Sequence, residues 1–171
     1  MLFLTIGTLF GFDRLVKAVD DAIGAGKIKD DVFAQIGPGK YHPRHMQFVE
    51  VLSKEEFDQK LAGSEGLISH AGIGSISAAI KSGRPMVVLP RLRRHGEHVN
   101  DHQLHTARKF ESLGCVLVAY DESELPDRCA QLKSFRPASR NANVTGLVQR
   151  LRQFLSKVDH SGALRTEGPI H

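Results

Sequence analysis

The chain has 171 residues, 41% hydrophobic and 25% charged, with a formal net charge of +4. That length fits one domain with a sizeable core and is short for two nucleotide-type domains. The mild positive excess suits anionic small molecules or a membrane surface. It is too weak to claim nucleic acid, whose binders carry a denser basic face, and with no Trp and two Tyr an aromatic platform for stacking successive bases is not expected.

The predicted elements alternate. Short apolar runs, mostly rich in β-branched residues and bounded by Gly or Pro, fall at 2–6, 32–36, 47–51, 66–69, 86–89 and 115–119 and read as buried strands. After the first, Phe12, Leu15, Val16, Val19 and Ile23 keep helical spacing until Gly24 and Gly26 stop the helix. Ser53-Lys54-Glu55-Glu56 is a capping box opening a helix that carries Phe57 and Leu61. Ile73, Ile76 and Ile80, closed by Gly83-Arg84-Pro85, mark another, and residues 99–113 the next. A final stripe of Val144, Leu147, Val148, Leu151, Phe154, Leu155 and Val158 predicts a helix over 144–158. Residues 134–143 read as a surface connection and 161–171 as a frayed tail, giving a single domain over 1–160. The alternation predicts an α/β fold: a Rossmann-like, mostly parallel sheet with helices on both faces.

Cys115 and Cys129 form no CxxC pair, Cys115 lies in an apolar run, and a reducing compartment is expected. Residues 1–6 are too short for a signal peptide and lack a basic leader. No apolar run approaches the roughly 20 residues of a membrane span, so any membrane contact is expected to be peripheral.

Two loops follow consecutive strands. Ser69-His70-Ala71-Gly72-Ile73-Gly74-Ser75 joins a strand to a helix, and its glycines let the backbone approach a ligand while the helix start favours an anion. The polar run 90–103 follows the next strand. Together they predict one site at the carboxyl edge of the sheet and a nucleotide-linked substrate. Ser77 stands where a G-x-G-x-x-G fingerprint needs its third glycine, and no Gly-Lys-Thr follows, which argues against a nicotinamide enzyme and an ATPase. His98, His102 and His105 recur at helical spacing, but without HExxH order no metal site is expected.

Thr5-Ile6-Gly7-Thr8, Phe12-Asp13-Arg14-Leu15-Val16, Gln35-Ile36-Gly37, the His70 loop, Gly83-Arg84-Pro85 and Asn100-Asp101-His102-Gln103 occur in one order. In that order and spacing, over residues 2–118, the chain resembles the carboxyl-terminal, donor-binding domain of the family 28 glycosyltransferases. It is most similar to the single-domain members, the Alg13-like subunits and the PssE-type exopolysaccharide subunits. The resemblance implies the donor half of a GT-B glycosyltransferase: a hexosyltransferase that takes a UDP-sugar as substrate, needs no cofactor and inverts the anomeric centre. It also implies a membrane-anchored Alg14/PssD-like partner that carries the acceptor half and the general base, so no catalytic base is assigned here. The acceptor would be lipid-linked or an exopolysaccharide, and the protein cytoplasmic, held at the inner face of the membrane by its partner. In related single-domain members the carboxyl-terminal helix binds that partner; the stripe over 144–158 fits this or packing on its own core.

By the same resemblance, Gly7 and Thr8 face the donor phosphates; a tight turn with an N-cap is the other reading, and for Thr8 the two stand level. Gly72, Gly74 and Ser75 present amides and a hydroxyl to the diphosphate. His70 either orients the loop, touches a phosphate, or is a core histidine donating to a carbonyl. Asn100, Asp101, His102 and Gln103 match the run that reaches the donor sugar, with Gln103 the best carry-over; helix capping is the other reading for Asn100 and Asp101. Arg91, Arg93 and Arg94 either neutralise a diphosphate or carboxylate or form a solvated basic loop. One departure stands out: Ala78 occupies the place where many relatives have a ribose-binding Glu, and Glu97 is the candidate replacement. A non-catalytic nucleotide-sugar-binding or scaffold subunit is the alternative function.

Overall fold

The computed structural model describes residues 1–138. Six parallel strands form one sheet in the order β3-β2-β1-β4-β5-β6, with β1 at Leu2–Thr5, β2 at Val32–Gln35, β3 at Gln47–Val49, β4 at Gly66–His70, β5 at Met86–Leu89 and β6 at Leu117–Val118. β1 pairs with β2 on one side (Thr5 opposite Gln35) and with β4 on the other (Thr5 opposite Ser69). The strand order therefore reverses between β1 and β4, the switch point at which open α/β sheets hold ligands.

Helices α1 (Asp13–Gly24), α2 (Lys54–Gly63), α3 (Ile73–Ser82), α4 (His102–Ser112) and α5 (Leu125–Gln131) connect or follow the strands. Alternation along β1 assigns the two faces. Leu2, Leu4 and Ile6 join Leu15, Val16 and Val19 of α1 and Leu125 and Cys129 of α5 in one core. Phe3 points the other way and meets Phe57 of α2 edge-on at 5.4 Å. Helices thus cover both faces, as the alternating pattern predicts, and the doubly buried strands explain the near-continuous apolar runs.

The Ser53 capping box forms as expected, with Ser53 Oγ accepting from Glu56 N at 3.2 Å and Glu56 Oε2 accepting from Ser53 N at 2.8 Å. Beyond shifts of one or two residues at strand ends, the structure departs from the sequence reading in three places. The strand expected at 115–119 shrinks to Leu117–Val118. The helix expected from 99 begins at His102, because Val99 belongs to an exposed loop. Leu125–Gln131 adds a short helix that the periodicity does not announce, with Pro126 in its first turn. The expected helix over 144–158 and the domain boundary at 160 lie outside the described residues. Among the described residues no helix is long and apolar enough to cross a membrane. Cys115 and Cys129 are both buried thiols.

Candidate functional site

At the carboxyl ends of β2 and β1 and one residue before that of β4 stand Gln35, Thr5 and Ser69, three polar side chains in register and all buried. Above them opens a cleft of about 600 Å³, walled by the β1–α1 loop, the start of α2 and the first turns of α3. Of the residues expected at a site, it gathers Gly7, Thr8, His70, Gly74, Ser75, Arg91 and Gln103. Gly72 adjoins them beneath the His70 ring: a Cβ there would lie 2.2 Å from His70 Nε2. Gly7 adopts φ +78, a left-handed conformation that glycine takes without strain.

Helix α3 begins without a side-chain cap and has no acidic residue in its first turn. Its first intrahelical bond runs from Ile76 N to Gly72 O at 3.1 Å, so the amides of Ile73, Gly74 and Ser75 precede the ladder. These N–H groups, with the positive end of the helix dipole, form an anion-seeking surface on the cleft.

The hydrogen bonds of His70 define its state. Ser69 Oγ donates to Thr5 O at 2.5 Å, and Ser69 Oγ and His70 Nδ1 lie 3.1 Å apart. With the Ser69 proton committed, His70 carries its own proton on Nδ1 and leaves Nε2 as an acceptor. Burial and then the charge of Arg91 pull its pKa down to about 4, so the ring is neutral at neutral pH. These contacts tie the His70 ring to the ends of β1 and β4, where it orients the loop.

Arg91 does a different job from the expected one. Its side chain is 2% exposed, and the guanidinium donates to the carbonyls of Ile6 (3.0 Å), Phe10 (2.9 Å) and Gly11 (2.5 Å) while lying 4.6 Å from the Phe12 ring centroid. It braces the β1–α1 loop instead of standing free as a phosphate counter-ion. No carboxylate pairs with it among the described residues; burial lowers its pKa to about 10, and its charge remains as a positive field behind the cleft.

Glu97 is a second correction. Its carboxylate is taken by Arg14 (Nε at 2.6 Å, Nη2 at 2.9 Å) and by Leu92 N at 3.0 Å, and it does not line the cleft. A bidentate ion pair to α1 leaves it no role as a replacement ribose ligand. Arg93 and Arg94 are exposed and outside the cleft wall, as a solvated basic loop requires. Asp101 accepts from Arg93 N at 2.8 Å and Asn100 accepts from His102 N at 3.2 Å, so both shape the turn into α4. The His102 ring packs edge-on against His98 at 4.3 Å, and none of these three lines the cleft. Gln103 does line it. Its Oε1 accepts from Arg91 N at 3.2 Å, which turns the amide nitrogen to the remaining side.

Four further lining residues lie outside the expected site set: Gln35, His98, and Lys54 and Asp58, which form an ion pair on α2. Gln35 and His98 both stand out in the sequence, one in the Gln35-Ile36-Gly37 motif and the other in the histidine series, but neither pattern points to the cleft. Ala78 lines the wall, where its methyl offers no hydrogen bond to a ribose. Among the described residues no three His, Cys, Asp or Glu side chains converge as a metal-holding group.

A doubly wound sheet with its cleft at the switch point defines a Rossmann-like nucleotide-type domain. The chain belongs to the glycosyltransferase family 28 C-terminal domain family, whose model matches residues 1–148. No curated protein sequence matches the chain. Among solved structures it is similar to ALG13, with 20% identity, 88% of this chain and 93% of that one covered, and a TM-score of 0.57. It is similar to the glycosyltransferase SnogD from Streptomyces nogalater at 19% identity, covering 91% of this chain and 39% of that one, with a TM-score of 0.53. It is also similar to the glycosyltransferase VinC in complex with DTDP, at 18% identity, 93% and 40% coverage and a TM-score of 0.52. These likenesses establish the shared fold. The chain spans about two-fifths of the SnogD and VinC chains.

Proposed function

We propose that this chain is the donor-binding catalytic subunit of an inverting glycosyltransferase that moves a hexosyl group from a UDP-sugar to a lipid-linked or exopolysaccharide acceptor. The observation that carries the reading is the uncapped head of α3, whose free Ile73, Gly74 and Ser75 amides open the helix where Gly74 and Ser75 line the cleft at the switch point. A diphosphate placed there gains three N–H donors, the helix dipole and the field of Arg91. The VinC complex with DTDP supports a nucleoside diphosphate as the ligand class.

In the reaction, an acceptor hydroxyl attacks the anomeric carbon, the bond from that carbon to the diphosphate oxygen breaks, and UDP leaves with the electron pair. The helix amides stabilise the charge that develops on the leaving group, and Gln103 offers its amide nitrogen to the sugar. The proton of the attacking hydroxyl passes to a base on an Alg14/PssD-like, membrane-anchored partner, which brings the acceptor and holds this PssE-type subunit at the inner face of the membrane. The UDP-sugar is a substrate, and no cofactor enters the scheme.

A second reading, a non-catalytic nucleotide-sugar-binding or scaffold subunit, is favoured by one observation: Ala78 carries no carboxylate and Glu97 is committed to Arg14. Calorimetric titration with UDP, UDP-glucose, UDP-N-acetylglucosamine and UDP-glucuronic acid, against GDP and NAD, tests the donor site. Selective heat with the UDP ligands is the expected result, and a silent titration across the series overturns it. In the complex with its partner, Gln103→Ala is expected to lower turnover while leaving assembly intact. Unchanged turnover favours the scaffold.

A further inference from the structure

We infer that Gln35 is a ligand-contacting residue of this cleft, donating from its carboxamide nitrogen to an oxygen of the nucleoside or of the transferred sugar. The inference deepens the nucleotide-sugar reading and rests on it.

The argument starts from proton bookkeeping at the end of β1. Gly7 N donates to Thr5 Oγ1 at 3.3 Å, so the Thr5 hydroxyl must send its own proton elsewhere. The acceptor in reach is Gln35 Oε1, also at 3.3 Å. This fixes the carboxamide: the oxygen faces Thr5 and the nitrogen, with two N–H groups, is turned the other way. Gln35 is 2% exposed, yet among the described residues no acceptor meets Nε2. The nitrogen is not sealed in the core as an orphan; Gln35 is part of the cleft wall, and its remaining opening is into the cleft. A donor held this way on a rigid strand end, without a protein partner, is built to meet an oxygen that arrives with a ligand.

Position narrows which oxygen. Gln35 stands opposite Thr5, and Thr5 opposite Ser69, so the end of β2 lies two strands from the end of β4. At the usual strand spacing that is about 10 Å. A diphosphate seated on α3, which follows β4, is out of reach of the Gln35 amide. What extends over β1 and β2 is the nucleoside or the sugar, each offering carbonyl or hydroxyl oxygens.

Two variants separate a contact from a structural role. Gln35→Glu keeps an oxygen to accept from Thr5 and removes the N–H donors; Gln35→Ala removes both. Each is titrated with UDP and with UDP-glucose beside the wild type, with thermal unfolding recorded for all three. The expected result is about a tenfold loss of affinity in both variants, the worth of one hydrogen bond, with the Gln35→Glu protein still folded. Loss with both ligands assigns the oxygen to the nucleoside; loss with UDP-glucose alone assigns it to the sugar. Wild-type binding that survives within twofold in both variants overturns the inference, even if Gln35→Ala melts earlier. A wild type that binds neither ligand overturns the nucleotide-sugar reading itself, a distinct outcome.

Discussion

At position 72 there is room for a hydrogen and nothing larger. A methyl group would sit 2.2 Å from His70 Nε2 and 2.7 Å from Cδ2, although the backbone there has an ordinary φ of −78. The constraint is therefore the imidazole, not the chain conformation. Two residues on, Gly74 has nothing within 4 Å of a built Cβ. The two substitutions should diverge. Gly72→Ala must displace the ring that bridges the β1 and β4 loops, and is expected to cost about 1–3 kcal/mol in urea unfolding and to weaken UDP binding. Gly74→Ala fills open space near the start of a helix and should leave stability level or raise it by up to about 1 kcal/mol. The sequence displays both glycines alike in the His70 loop; only the folded ring tells them apart.

Helix α1 does more than cover the sheet. Asp13 Oδ1 accepts from Lys40 N at 3.0 Å and Tyr41 N at 3.2 Å. Asp20, fully buried, accepts from Arg44 N at 2.9 Å, His45 N at 2.7 Å and the Tyr41 hydroxyl at 2.8 Å. The two carboxylates pin the β2–β3 loop, whose first residues adjoin Gln35 at the cleft. Asp20→Ala is expected to lower stability by about 2–4 kcal/mol, since it leaves buried donors unpaired, and to raise amide exchange across residues 40–45. The apolar spacing of α1 was legible, and the helix forms where it predicts. Asp20 was not, because it lies one turn beyond Val16 on the same buried face, and a periodicity argument reads a carboxylate there as an interruption. The same limit applies to Arg91. A loop that reads Arg91-Leu92-Arg93-Arg94 suggests solvent, but the Arg91 guanidinium is spent on carbonyls 80 to 85 residues away. Long-range pairing leaves no local signature.

For the molecule as a whole, buried titratable groups set the acid limit. The His70 pKa of about 4 lies below the ordinary value of 6.5, so the unfolded chain binds the extra proton across that interval. Stability then falls as pH drops from about 6.5 to about 4. Asp20 has the opposite charge type but the same direction: burial opposes its charge, yet the Arg44 and His45 amides and the Tyr41 hydroxyl hold its pKa below 3.8, so its contribution persists until pH falls through that lowered value. Thermal midpoints from pH 7.5 to 3 should show both losses in sequence, and His70→Gln should flatten the upper one. The alternation of strands and helices was enough to read the sheet, its parallel sense and the edge that holds the cleft. Which side chains face that cleft depended on hydrogen bonds between strands far apart in the chain. That separation has a cost in time. β1 is synthesised before both of its neighbours, which begin at Val32 and Gly66, so one edge of it has no partner until 64 more residues have been added. At about 5–20 residues per second the nascent protein spends several seconds with β1 half-paired, which makes the ribosome, and whatever guards its exit, part of the route to the folded site.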